Sequence, residues 1–209
     1  MLLYLVRHGE TTYNAEGRIQ GQSDAPLSEL GHRQSAAVAE ALAALPIEAL
    51  YSSPLRRARQ TAEPIAARLK LSVRDDRRLM ELDAGRFTGR LRSELTDIYP
   101  EELARWLSGD EDFAIPDGES RRQLADRGSA ALRDIAAAGH RQVAVVTHGG
   151  LLSATLGSLL HLTEPMPPFA FQNGSITRVT ADGHGQFTLV AFNEIEHLHD
   201  VGPSRGGDL

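Results

Sequence analysis

Apolar residues fall into two kinds of stretch along this chain, and the two kinds alternate. Short runs rich in Leu, Val and Ile are nearly continuous, as strands buried on both faces are. Longer segments of Ala, Leu and Arg separate them. That alternation predicts an α/β fold. Leu2 to Val6 reads as a buried strand. Pro26-Leu27-Ser28 leads into an Ala-rich helix that ends near Leu45, with Ser28 as N-cap and Pro46 as its stop. Ala49 to Ser52 reads as a strand. Pro54 opens a helix through about Leu69, since the missing proline N–H has no partner to lose in a first turn. Pro64 inside that helix predicts a kink. Leu71 to Val73 is a short strand, and Leu91 to Leu107 reads as one helix before a polar, flexible stretch from Ser108 to Gly118. Glu119 to Ala138 is a helix closed by Gly139. Gln142 to Thr147 is a central strand, Gly150 to His161 a helix, and Ser175 to Thr180 with Gln186 to Phe192 a hairpin. Pro203 to Leu209, rich in Gly, is expected to fray.

The 209 residues suffice for one substantial domain. The expected organisation is a single domain over 1–209, with a lid-like insertion at about 86–118 over the sheet edge. A net charge of −6 argues against a nucleic-acid partner. Cysteine is absent, which excludes disulfides, thiolate metal sites and a Cys nucleophile. No apolar run reaches the length of a membrane span, and the N-terminus lacks a basic-then-apolar signal pattern. A cytoplasmic location without a membrane partner is the default expectation.

Chemistry concentrates at two strand ends. Leu5-Val6-Arg7-His8-Gly9-Glu10-Thr11 carries an apolar strand into a cation, an imidazole and a glycine. Val143-Ala144-Val145-Val146-Thr147-His148-Gly149-Gly150 repeats the arrangement. Open α/β sheets bind ligands at the carboxyl ends of their strands, so His8 and His148 are expected side by side. A third strand ends near Ser52-Ser53 and feeds Arg56-Arg57. Together these ends bring two imidazoles and one or two guanidinium groups to one place, a set that suits a phosphate dianion. Gly9 and Gly149 are expected to let the backbone approach the bound group. Glu81, at another strand-to-loop position, is a candidate proton donor.

Arg7-His8-Gly9-Glu10-Thr11 with Asn14 resembles the signature of the histidine phosphatase superfamily, the phosphoglycerate-mutase-like family. The resemblance continues through Ile19-Gln20-Gly21 and Pro26-Leu27-Ser28-Glu29-Leu30-Gly31. It includes Ser53-Pro54-Leu55-Arg56-Arg57, Glu81, Pro116-Asp117-Gly118-Glu119-Ser120 and Thr147-His148-Gly149-Gly150. It implies a three-layer α/β/α sandwich, with a mostly parallel sheet flanked by helices on both faces and a small helical lid insertion. It further implies that His8 attacks phosphorus to form a phosphohistidine. Arg7, Arg57 and His148 would hold the equatorial oxygens, with Asn14, Gln20, Gly21 and Gly149 as further phosphate or substrate contacts. Glu81 would act as acid, then base. His8 must be neutral to attack, and His148 is expected to work best as a cation.

The resemblance implies neither a metal nor a cofactor, except 2,3-bisphosphoglycerate for a mutase. The short stretch between Gly85 and Gly118 resembles phosphatases more than mutases. The expected activity is metal-independent hydrolysis of a small phosphorylated metabolite. A cofactor-dependent phosphoglycerate mutase is the alternative, and a catalytically silent phospho-ligand-binding module a minor one. The chain is expected to be a monomer or homodimer. Arg56 is expected at the surface, and Asp24, Asn173 and Asn193 in turns and caps. Phe87, Leu91, Trp106, Phe113 and Ile115 would favour a bulky, partly apolar leaving group if they lined the pocket.

Overall fold

Alternate residues of the first strand serve opposite faces of one sheet. β1 (Leu2–Arg7) sends Leu3 and Leu5 into one apolar cluster and Tyr4 and Val6 into another. The structure, a computed structural model, describes residues 1–162, 171–182, 184–202 and 204. Six strands form a single sheet in the order β3-β2-β4-β1-β5-β6, with β2 at Ala49–Ser52, β3 at Val73–Asp75, β4 at Gln142–Thr147, β5 at Ile176–Ala181 and β6 at Phe187–Glu194. β1 to β4 are parallel, and the hairpin β5-β6 extends the sheet antiparallel from β1.

Among the described residues, seven helices accompany the sheet: α1 (Thr12–Glu16), α2 (Glu29–Ala43), α3 (Arg56–Leu69), α4 (Arg92–Ile98), α5 (Pro100–Leu107), α6 (Arg121–Ala137) and α7 (Gly149–Leu159). Val38, Leu42, Ala58 and Ile65 from α2 and α3 cover one face, against Tyr4, Val6 and Val146. Leu132, Ile135, Leu152 and Leu156 from α6 and α7 cover the other, against Leu3, Leu5 and Val145. The result is the expected α/β/α sandwich. No described helix is long and apolar enough to cross a membrane.

Several boundaries differ from expectation, each for a local reason. The segment expected to be one helix from Leu91 to Leu107 is two. Pro100 disfavours a helical residue before it, and Tyr99 takes φ −136°, ψ 56° between α4 and α5. Pro54 lies outside its helix, which starts at Arg56 behind Leu55. Pro64 remains inside α3, which runs on through it. The late helix starts at Arg121 rather than Glu119, because the Ser120 side chain accepts from the Gln123 N–H and Gln123 answers as a capping box. The third strand is Val73–Asp75, shifted toward the C-terminus. α1 carries no hydrophobic periodicity to announce it. A capping box between Thr11 and Asn14 forms it.

Within 86–118, Phe87, Leu95, Trp106, Phe113 and Ile115 are buried and belong to the same cluster as Leu3 and Val145. This segment seals one face of the core with its aromatic side chains. The expected frayed tail lies, apart from Ser204, outside the described residues.

Candidate active site

Parallel register decides where the two histidines meet. Arg7 of β1 stands opposite Thr147 of β4, and the His8 N–H donates to the Thr147 carbonyl at 3.0 Å. The next residue of each strand is therefore a histidine at the same level. Their ring centroids are 5.1 Å apart with planes tilted by 58°. β2 flanks β4 on the other side, and the Ser53 N–H donates to the Val146 carbonyl. That places the Ser53 hydroxyl 2.7 Å from Nε2 of His148.

Each ring has a defined environment. Nδ1 of His8 lies 2.7 Å from the carbonyl of Gly9, which can only accept, so this nitrogen carries the proton. Nε2 of His8 keeps its lone pair, toward which Arg57 Nε points at 3.3 Å. Burial pushes His148 well below the usual histidine range, with Arg57 and His8 adding to the effect. Buried beside the guanidinium groups, the ring favours its neutral form.

The cations come from two elements, Arg7 from β1 and Arg57 from α3. Arg57, in the first turn of α3, also donates to the carbonyls of Ser23 at 2.9 Å and Gly21 at 2.7 Å. Arg7 donates to the carbonyl of Phe171. Both guanidinium groups are almost fully buried, while Arg56 is exposed. The Asn14 Oδ1 accepts from the Thr11 N–H, the Thr11 hydroxyl and Asn173 Nδ2, at 3.1, 3.1 and 3.3 Å. Those donors fix the amide flip, with the oxygen facing the turn and the NH2 turned the other way. The Thr11 hydroxyl shares its one proton between Asn14 Oδ1 and Gln20 Oε1, the latter at 2.8 Å.

Glu81 is gripped by the start of α7. Its carboxylate accepts the N–H groups of Gly150 and Leu151, each at 3.0 Å, and of Leu82 at 2.8 Å. The helix end offers unpaired donors and a positive dipole to an anion. Gly149 opens the same helix directly behind His148. Glu81 and Gly150 line a cleft of about 360 Å³, including its open mouth, together with Ile19, Gln20, Gly21, Leu82 and Ala84.

The structure thus assembles His8, His148, Arg7 and Arg57, with Glu81 gripped by the helix that starts behind His148. It shows a steric task for Gly9 at α2. A Cβ on Gly9 would stand 2.5 Å from the Gly31 carbonyl, so the glycine makes room for α2. Phe87, Leu91, Trp106, Phe113 and Ile115 are not among the residues that line the cleft. Ser53 was within reach of sequence reasoning, as a hydroxyl at the end of a third parallel strand. Asn173, expected as a turn residue, also donates to the His8 carbonyl at 3.1 Å, and nothing local in the sequence announces that.

Residues 3–195 match the histidine phosphatase superfamily, branch 1. The chain belongs to that family. Among curated relatives, the probable phosphoglycerate mutase GpmB of Citrobacter koseri is 46% identical over 130 residues, 62% of this chain and 60% of the relative. The chain therefore spans about 60% of the length of the curated relatives it matches. Among solved structures, a mycobacterial glucosyl-3-phosphoglycerate phosphatase is 33% identical with a TM-score of 0.81, over 92% of this chain and 98% of that one. Bacillus stearothermophilus YhfR is 27% identical with a TM-score of 0.87, over 95% and 99%. In this histidine phosphatase chain two strand-His-Gly endings meet, one from β1 and one from β4.

Proposed function

We propose that this histidine phosphatase hydrolyses a small phosphomonoester through a phosphohistidine on His8. The observation that carries the reading is the orientation of His8. Its Nδ1 is bonded to the Gly9 carbonyl, and its lone pair at Nε2 lies beside a buried guanidinium. Glu81 enters the reaction protonated, its neutral form favoured by the substrate dianion beside it. In the first step a bond forms from Nε2 to phosphorus while the ester P–O bond breaks, and Glu81 gives its proton to the leaving oxygen. In the second step water attacks phosphorus, the P–N bond breaks, and Glu81 takes the proton from that water. Arg7, Arg57 and Asn14 offset the charge on the equatorial oxygens, with the Gly149 N–H as a further donor. The dianion would also favour a proton on His148, whose Nδ1 has no hydrogen-bond partner among the described residues.

Hydrolysis is preferred to transfer on the build of one segment, since the relatives include both a solved phosphatase at 33% identity and a probable mutase at 46%. The segment between Gly85 and Gly118 is short and spends its aromatic residues on the core. The test is a phosphomonoester panel that includes both phosphoglycerates and 2,3-bisphosphoglycerate, followed for free phosphate, isomer exchange and acid-labile phosphoenzyme. Release of phosphate, with phosphoenzyme that is lost in His8→Ala, is expected. Isomer exchange in place of release would make the protein a mutase. Ligand binding without any phosphoenzyme would make it a silent binding module.

A further inference from the structure

Arg127 on α6 uses all five of its N–H donors on one short loop and its partner. Nη1 donates to the carbonyls of Arg78 and Met80 at 2.8 and 2.5 Å, and Nη2 to the carbonyl of Glu81 at 2.8 Å. Nε and Nη2 form a fork onto Glu119 at 3.1 and 2.6 Å. Glu119 in turn accepts the N–H of Asp83 at 2.8 Å. The pair therefore holds the main chain on both sides of Glu81: carbonyls up to residue 81 and an amide at residue 83. Residues 80–84 have no regular secondary structure of their own to hold them. Both side chains of the pair are largely shielded from water, at 20% and 14% exposure, which strengthens each bond.

We propose that Arg127, with Glu119, is a positioning residue for Glu81. α7 fixes the carboxylate and α6 fixes the backbone that carries it, so the proton is delivered to one place. The inference rests on the acid and base role proposed for Glu81. Arg127 reaches the cleft lining only through the Glu81 carbonyl, and its charge also bears on buried His148, so Arg127→Lys, which keeps the charge and loses the fork, isolates the positioning of Glu81. Lysine cannot replace it, because an ammonium has three donors and no planar fork.

The test is rapid-quench formation of phosphoenzyme from two esters, p-nitrophenyl phosphate and an alkyl phosphate. The first has a leaving group that needs no proton, and the second does need one. Arg127→Lys, Arg127→Met and Glu119→Gln are compared with Glu81→Gln. Formation from the alkyl ester is expected to slow by roughly 10- to 100-fold in each variant, the usual cost of a misplaced proton donor. Formation from the nitrophenyl ester is expected to change by less than about threefold, with KM unaltered. Equal losses on both esters, or no loss on either, would overturn the inference, because a purely structural role does not distinguish leaving groups. Circular dichroism identifies a variant that fails to fold. Should Arg127→Met do so, Arg127→Lys and Glu119→Gln carry the same prediction. If Glu81→Gln itself shows no leaving-group dependence, the reading of Glu81 fails first. If only the Arg127 and Glu119 variants lack it, the positioning role alone fails.

Discussion

The carboxylate of Glu81 occupies the space that a side chain at Gly150 would need. A Cβ on Gly150 would stand 2.5 Å from Glu81 Oε1, inside any tolerated contact. The glycine therefore lets the helix end and the carboxylate meet. Gly150→Ala is expected to push the carboxylate off the N–H groups of Gly150 and Leu151 and to lower turnover by roughly 10²-fold, the scale of a lost proton donor. A double-mutant cycle with Glu81→Gln checks the mechanism. The two changes together should cost little more than either alone, and fully additive losses would show that Gly150 matters for another reason.

The parts of the site that follow from strand endings were legible in the sequence, and those that depend on crossing loops were not. His8 and His148 each follow an apolar run, and parallel register then leaves them only one way to meet. Arg57 was legible because it follows a third strand of the same sheet. Asn173 was not, since its bond to the His8 carbonyl joins residues 165 positions apart. Arg127 was hidden similarly, as one arginine among several on a solvated-looking helix. In the fold, the break at Tyr99 was recoverable from Pro100, whereas α1 has no hydrophobic pattern to read. The aromatic residues of 86–118 gave a correct hydrophobic signal with two possible destinations, core or cleft, and packing decides between them.

Asn173 ties the end of β1 to α1. It donates to the His8 carbonyl and to Asn14 Oδ1. Asn173→Ala removes both bonds and leaves buried acceptors less satisfied, which costs about 1–3 kcal/mol of stability. Losing one of the three donors on Asn14 Oδ1 loosens the hold on its side chain, so KM for a phosphomonoester should rise more than kcat falls. Denaturant unfolding and steady-state kinetics measure the two effects. A variant with unchanged stability and unchanged KM would show that the turn holds its place without Asn173.

Turnover should survive a chelator. The proposed chemistry takes its positive charge from Arg7, Arg57 and a His148 that protonates with the ligand. Together these do for the transferring phosphoryl group what divalent ions do elsewhere. Activity after treatment with EDTA and desalting is the measurement. Loss of activity that a divalent ion restores would contradict the proposal.

Stability should fall as the medium is acidified through the histidine range, and His148 should account for part of the fall. Burial and the neighbouring Arg57 depress its pKa in the folded protein, so the ring stays neutral there. In the unfolded chain it binds a proton as pH drops through about 6.5. The unfolded state then holds more protons than the folded one, and stability declines with falling pH by up to about 1.4 kcal/mol per pH unit for one such group. His197, half-buried by the C-terminal turn and also depressed by burial, contributes in the same window and with the same sign. Denaturant unfolding between about pH 7 and 5 should therefore show a steeper slope in the wild type than in His148→Asn. Inorganic phosphate should flatten the wild-type curve, because a bound dianion lets folded His148 take up the same proton. Identical slopes in the two proteins would mean that His148 is already protonated in the folded state, contrary to its surroundings.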